Sequence, residues 1–478
     1  MRLCRQLKPS IITRPQLCRA CVCSGVLVVA SFGFAQTKAT GPVQSSQTQP
    51  AKPVIPNTPD VVLPQAQVLP TDTQLKLGSA PITVHEAIEI ALRRQSQIAK
   101  SQGSLLSAQG SVQQASAGLR PQMTATAGYF GKGAIGAGNT QGAQNLYSAG
   151  VGLSQLLMDF GRTRDQVRQE RALERAAIQS IDAVNQEVAL QVKLDFYALV
   201  QARANEALGE ADVANRQRQL DEASAKVTSG IGAPSDIVQA KTNLANASIS
   251  LIEVRSATLL GRMTLALDMG IDPLTPITPV ESSEPSLEGE GDLGVLISKA
   301  LSDRPDVKVA KTQIAAADAG LSVARKASSP TLSLTAGTSG QDASDPLKTQ
   351  LGYVGLNLGW TFGDGGTRSG QIKQAKGSLQ IARANLVQVS QQASNLVGSA
   401  FVDLSSAQQR VTLAKVAVAN AAEFVRISEG RYDGGLGAFL DITSAQSSLV
   451  TAQRSLNQAL ADVQRARARL RNAVGILE

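Results

Sequence analysis

The chain is one pattern written twice, and this doubling restricts what it can fold into more than any other feature. Ala91-Leu92 returns as Ala300-Leu301, Ala108 as Ala317, Ala115 as Ala324, Pro121 as Pro330 and Ala127-Gly128 as Ala336-Gly337, all at a spacing of 209 residues. Farther along the spacing settles at 205. Val192 then matches Val397, Phe196 matches Phe401, Leu199 matches Leu404, and Gly230, Gly232, Ala233, Asp236 and Ile237 match Gly435, Gly437, Ala438, Asp441 and Ile442. A long repeat marks copies of one supersecondary unit, and the change of spacing falls where loops absorb insertions. The two copies span 82–290 and 291–478.

Each copy reads as a helix, two short strands, a very long helix, a glycine-rich turn and a return helix. In the first copy the expected bounds are 83–118, strands near 121–130 and 146–158, and a helical hairpin over 162–269. In the second they are 304–328, 330–339, 350–362 and 366–475. Ile181, Val184, Val188, Val192 and Leu199 have the three-and-four spacing of an amphipathic helix. A helix over 162–227 is ~100 Å long at the standard rise, too long for any compact domain. The return helix is about half as long, so the first helix of the copy must cover the remainder. The result is an elongated coiled-coil-like layer whose flanks need neighbours.

The strands alternate. Met123, Ala125, Ala127 and Tyr129 interleave with Gln122, Thr124, Thr126 and Gly128, and Val354, Leu356, Leu358, Trp360 and Phe362 interleave with Tyr353, Gly355, Asn357, Gly359 and Thr361. One face is apolar and the other small or polar, as a membrane β-barrel requires. Seven of the 15 aromatic residues (Tyr129, Phe130, Tyr147, Phe160, Tyr353, Trp360 and Phe362) fall in the two strand segments. That enrichment fits aromatic girdles at the membrane interface. Four strands cannot close on themselves, so association with further copies is expected.

The ends and the composition narrow the setting. Residues 1–35 have the features of a secretory signal: Arg2, Arg5, Lys8, Arg14 and Arg19, an apolar stretch over 25–34, and small residues before Gln36. All four cysteines lie at or before the start of that stretch, which argues against a lipoprotein and leaves the mature chain without thiol chemistry. Residues 36–81 hold eight of the 19 prolines and read as a disordered linker. The net charge of +8 owes five charges to the signal, so it gives little reason to expect nucleic-acid binding. No apolar run reaches the ~20 residues of a spanning helix. His85 is the only histidine, and no catalytic, cofactor or metal constellation forms around it. The Asp159-Phe160-Gly161 tripeptide lacks the other elements of a kinase and reads as a strand end.

Over 82–478 the chain resembles the TolC-like outer-membrane efflux family. The resemblance rests on Pro121 and Pro330, on the strand-to-helix turns Phe160-Gly161-Arg162 and Phe362-Gly363-Asp364-Gly365-Gly366, and above all on the two tips. These are Gly230-Ile231-Gly232-Ala233-Pro234-Ser235-Asp236 and Tyr432 through Asp441, followed by Ile442, Ala445 and Gln446. It implies a mainly α fold with a membrane β-barrel, assembled as a homotrimer in the bacterial outer membrane with helices projecting into the periplasm. It also implies passive conduction, with an inner-membrane pump and a periplasmic adaptor as partners, and a gate and docking surface at the helix tips.

On that reading Asp441, Asp236 and Tyr432 are candidate gate residues. Asp441 would contribute a carboxylate ring at the narrow end, and Tyr432 matches a family position that ties neighbouring helices together. A second gate acid found in some members is replaced here by Ser444. Gly230, Ile231, Gly232, Gly435, Leu436 and Gly437 are candidate adaptor-docking residues. The function expected is an outer-membrane conduit for drugs or other small molecules. The alternatives are the outer-membrane part of type I protein secretion and a non-pore coiled-coil envelope protein.

Overall fold

The computed structural model describes residues 81–132, 144–280, 283, 291–342, 344–348 and 350–477. The expected signal over 1–35 and nearly all of the expected linker lie outside these residues. Pro81, counted with the linker, instead begins a two-residue strand, β1 (Pro81–Ile82), which pairs in parallel with β4 (Thr278–Pro279).

The first copy continues with α1 (Val84–Arg94), α2 (Ser96–Ala117), β2 (Gln122–Lys132), β3 (Gln144–Met158), α3 (Arg162–Thr228) and α4 (Pro234–Asp268). The second comprises α5 (Leu293–Asp303), α6 (Pro305–Lys326), β5 (Thr331–Asp342), β6 (Gln350–Gly359), α7 (Thr367–Asp433) and α8 (Phe439–Val474). The long helices α3 and α7 have 67 residues each, against 35 in α4 and 36 in α8. The half-length partners therefore share each long helix end to end: α4 returns along one half of α3, while α2 and α6 pack along the other.

Where one helix was expected at the start of each copy there are two. In the second copy Arg304 is extended before Pro305 (φ −58°, ψ 129°), because the proline ring disfavours helical geometry in the residue before it and suits the first helical position after it. The first copy makes the same break at Gln95 (φ −67°, ψ 126°), where the side-chain oxygen accepts the Ser96 N–H at 2.8 Å. Thr83 and Glu86 form a capping box at the start of α1, and Asp292 caps α5, a helix that lies before the expected start at 304.

The break turns α1 and α5 inward, and each covers a core at mid-height. One core joins Ala87, Ile88 and Ala91 to Val192, Phe196 and Leu199 of α3, to Leu265 of α4 and to Met269, which caps α4. The other joins Leu296 and Ala300 to Val397 and Leu404 of α7 and Leu470 and Val474 of α8. Both are built from matched residues, at spacing 209 in α1 and α5 and at 205 in the long and return helices, and each buried Leu, Val or Phe contributes about 1.5–3 kcal/mol.

The strands form one antiparallel sheet in the order β2-β3-β5-β6. Its register aligns the apolar alternates of all four strands: Met123 pairs Leu153, Leu153 pairs Ala336, and Ala336 pairs Val354. No helix among the described residues packs along this face, and Val354 is 78% exposed.

Five of the aromatics expected at the membrane interface lie on the apolar face or at its helical end. Tyr129 and Tyr147 pack together at the loop end with ring centroids 5.1 Å apart. Trp360 and Phe362 meet edge to face at 5.6 Å beyond β6, and Phe160 lies in the turn after β3. Phe130 and Tyr353 depart from the expectation. Both stand on the small-residue face, since Phe130 shares it with Gly128 and Tyr353 is opposite Gly337. A Cβ on Gly337 would lie 2.9 Å from the Tyr353 hydroxyl and 2.4 Å from the Val151 carbonyl oxygen, so only glycine fits beneath this ring.

Candidate functional site at the helix tips

The end of the molecule away from the sheet is built twice from the same turn. In the first copy Gly230 takes a left-handed φ of +78°, and the N–H groups of Ile231 and Gly232 both donate to the Lys226 carbonyl at 2.9 Å. In the second Gly435 has φ +71°, and the Leu436 N–H donates to the Arg431 carbonyl at 2.7 Å. These bonds satisfy the last carbonyls of α3 and α7, and the left-handed residue is glycine because side chains disfavour that conformation. The turns present Ile231 and Leu436 to solvent, 83% and 79% exposed. The candidate docking residues thus form two small knobs with an apolar apex.

Asp236 and Tyr432 are brought together from opposite copies. Asp236 lies in the first turn of α4 and Tyr432 in the last turn of α7. The Tyr432 hydroxyl donates to Asp236 Oδ2 at 3.2 Å. Its ring packs on Phe439 of α8 at 5.7 Å, within a small cluster with Leu220, Ala223 and Ala240. Burial and then the Asp236 carboxylate push the Tyr432 hydroxyl above its ordinary pKa, so it remains a donor. Asp441 stands differently: its Oδ2 accepts the Ala438 N–H at 3.3 Å, which caps its own helix.

Two charged residues join this group that the sequence had not singled out. Lys226 Nζ lies 2.9 Å from Asp433 Oδ1 and 3.8 Å from the centroid of the Tyr432 ring. One turn back, Glu429 of α7 is pushed above the ordinary carboxylate range by burial and by Glu222 of α3 and Asp433, against the pull of Arg218. The signal that could have found Lys226 is its match, at spacing 205, with Arg431: both copies carry a cation just before the tip.

The strand-to-helix turns at the other end are also built alike. Asp159 accepts the N–H groups of Gly161 and Thr163, and Asp364 accepts those of Gly366 and Arg368. Backbone bonds from Arg368 and Gly366 hold the Asp364 carboxyl below its usual range. Each carboxylate sits at a helix N-terminus, where the dipole favours it.

Comparison with known proteins matches this architecture. The BepC outer membrane efflux protein of Brucella suis is 27% identical over 336 residues, covering 69% of this chain and 72% of that protein. Protein CyaE of Bordetella pertussis is 25% identical over 377 residues, covering 77% and 79%. The crystal structure of the outer membrane protein VceC from Vibrio cholerae superposes with a TM-score of 0.69 at 20% identity, covering 83% of this chain and 97% of that one. The family model described as Outer membrane efflux protein matches residues 87–270 and 296–476, one segment for each copy of the repeat, and the chain belongs to that family.

Proposed function

We propose that the chain is the outer-membrane channel of a tripartite efflux system, a passive conduit for drugs or other small molecules. The observation that carries the reading is the separation of two unlike ends. A sheet with one exposed apolar face stands at one end of α3 and α7, and two glycine knobs stand ~100 Å away at the other. Along β3, Tyr147 to Met158 spans roughly 36 Å at the usual rise, or roughly 25–30 Å of height at barrel tilts. That height matches the hydrocarbon core of a bilayer.

The open edges β2 and β6 favour closure with further copies, since an unpaired strand edge is not tolerated in lipid. A homotrimer accounts for this, because the exposed apolar flanks of α4 and α7 would then cover one another. The Asp236–Tyr432 bond holds the two hairpins of a protomer together at the tip, so these residues and Asp441 are the proposed gate. The knobs at Gly230–Gly232 and Gly435–Gly437 are the proposed docking points for the periplasmic adaptor, which links the channel to its inner-membrane pump.

Deleting the gene and restoring it on a plasmid tests the cargo. The expected result is increased sensitivity to toxic small molecules, reversed by the plasmid. Unchanged sensitivity with loss of one secreted protein would replace this reading with type I secretion.

A further inference from the structure

We infer that Lys226 is a positioning residue of the gate: from α3 it grips Tyr432 and Asp433 of α7 and so keeps the Tyr432 hydroxyl on Asp236 of α4. The inference rests on the gate reading above and adds a residue to it. One ammonium group makes two contacts with the neighbouring hairpin, the carboxylate at 2.9 Å and the ring centroid at 3.8 Å. The second distance is within the range of a cation–π interaction.

The backbone of Lys226 is fixed by the turn itself, since its carbonyl receives two N–H groups from Ile231 and Gly232. The matching residue of the second copy does not cross over in this way: Arg431 Nη2 donates to the Leu436 carbonyl of its own turn.

The surrounding charges explain why a cation is needed. Glu222 of α3, Glu429 and Asp433 of α7 and Asp236 of α4 converge here, with Lys226 and Arg218 of α3 as the opposing charges. Without Lys226 the four acids face Arg218 alone, and the excess of like charge between the ends of α3 and α7 repels. An ion pair this exposed is weak alone, because the Asp433 side chain is 70% exposed. The grip is effective because the ion pair and the ring contact act together on adjacent residues.

The test is the open fraction of the purified, full-length protein in planar bilayers. Lys226→Met is expected to raise it about three- to tenfold, the combined size of an exposed ion pair and a cation–π contact, and Asp433→Asn, which removes only the ion pair, to raise it less. Lys226→Arg should stay near the parent, since the guanidinium keeps both contacts. Raising salt from about 0.1 M to about 1 M should open the parent and partly close Lys226→Met, because it screens the ion pair in the first and the acid repulsion in the second. Adding Lys226→Met to Tyr432→Phe should open the channel little beyond Tyr432→Phe alone.

Lys226→Met and Asp433→Asn channels that open no more than the parent, while Tyr432→Phe opens, would overturn the inference and leave the gate reading standing. A conducting channel in which neither Tyr432→Phe nor Lys226→Met changes the open fraction would overturn both.

Discussion

Helices α3 and α7 are equal in length and align without a gap at spacing 205, yet they have different surroundings in the protomer. α3 is surrounded, touching α1, α2, α4, α6 and α8, whereas α7 is flanked by α5, α6 and α8. The consequence is visible where the copies differ. Asp212, Arg216 and Gln219 are buried in α3, with Asp212 and Arg216 paired at 3.2 Å. At spacing 205 these become Ala417, Ala421 and Phe424 in α7. Asp165 of α3 is buried and paired with Lys326 of α6 at 2.7 Å, and its counterpart is Gly370. Meanwhile α7 leaves Val402, Leu413 and Val416 exposed, and α4 leaves Ile252 and Leu260 exposed. Duplication supplied two equal rods. Divergence made one a hub held by buried polar groups and left the other as an apolar edge, the form a ring of copies requires.

The largest expected effect comes from attacking that edge. Val402→Asp combined with Leu413→Asp should abolish the proposed trimer in analytical ultracentrifugation in detergent and leave the helix content by circular dichroism unchanged. Next is the hub. Asp212→Ala leaves Arg216 buried without its carboxylate and is expected to cost about 3–5 kcal/mol, measured by denaturant unfolding. Ala417→Asp at the matching exposed site of α7 should cost the protomer less than about 0.5 kcal/mol. Replacing Asp212 and Arg216 together by Leu and Met should recover most of the loss, since it is unpairing rather than absence of charge that destabilises.

A pH effect of intermediate size distinguishes the rods. Asp195 of α3 is pushed up to about 7 by burial, then by its hydrogen bond to Asp268 of α4; its counterpart in α7 is Ala400. A carboxyl raised above its unfolded value contributes stability that is fully present at acid pH and lost as pH rises through about 7. The protein is expected to melt at a higher temperature at pH 5.5 than at pH 8.5, and Asp195→Asn should narrow the difference.

The smallest effect is at glycines. A Cβ on Gly370 meets nothing within 4 Å, so Gly370→Ala should stabilise by about 0.5–1 kcal/mol. A Cβ on Gly209 of α3 lies 3.3 Å from both Leu251 and Val254, and Gly209→Ala should gain nothing in the same unfolding measurement.

These differences also mark how far sequence reasoning reaches. The rods, their half-length partners and the alternating strands were legible because each depends on a local period that the repeat displays twice. The break at Arg304 was open to reading through Pro305. The one at Gln95 was not, because a glutamine capping through its side chain looks like any other helical glutamine. Counting along the segment places Phe130 and Tyr353 with the interface aromatics, though strict alternation puts Tyr353 on the other face from Val354. At the tips, the glycine turns and the candidate acids were readable from the doubled motif. The contact of Lys226 with Tyr432 and Asp433 was not, since it joins residues about two hundred positions apart. A lone cation in the last turn of a helix is also already accounted for by the helix dipole.

The central claim, that two duplicated hairpins assemble into a conduit closed at its tips, is tested most directly by single-channel recording of the purified protein in a planar bilayer. The expected result is discrete conductance steps that are small in the parent and larger when Tyr432→Phe releases Asp236. A stable, correctly folded trimer that inserts and shows no conductance in either form, at any voltage, would contradict it.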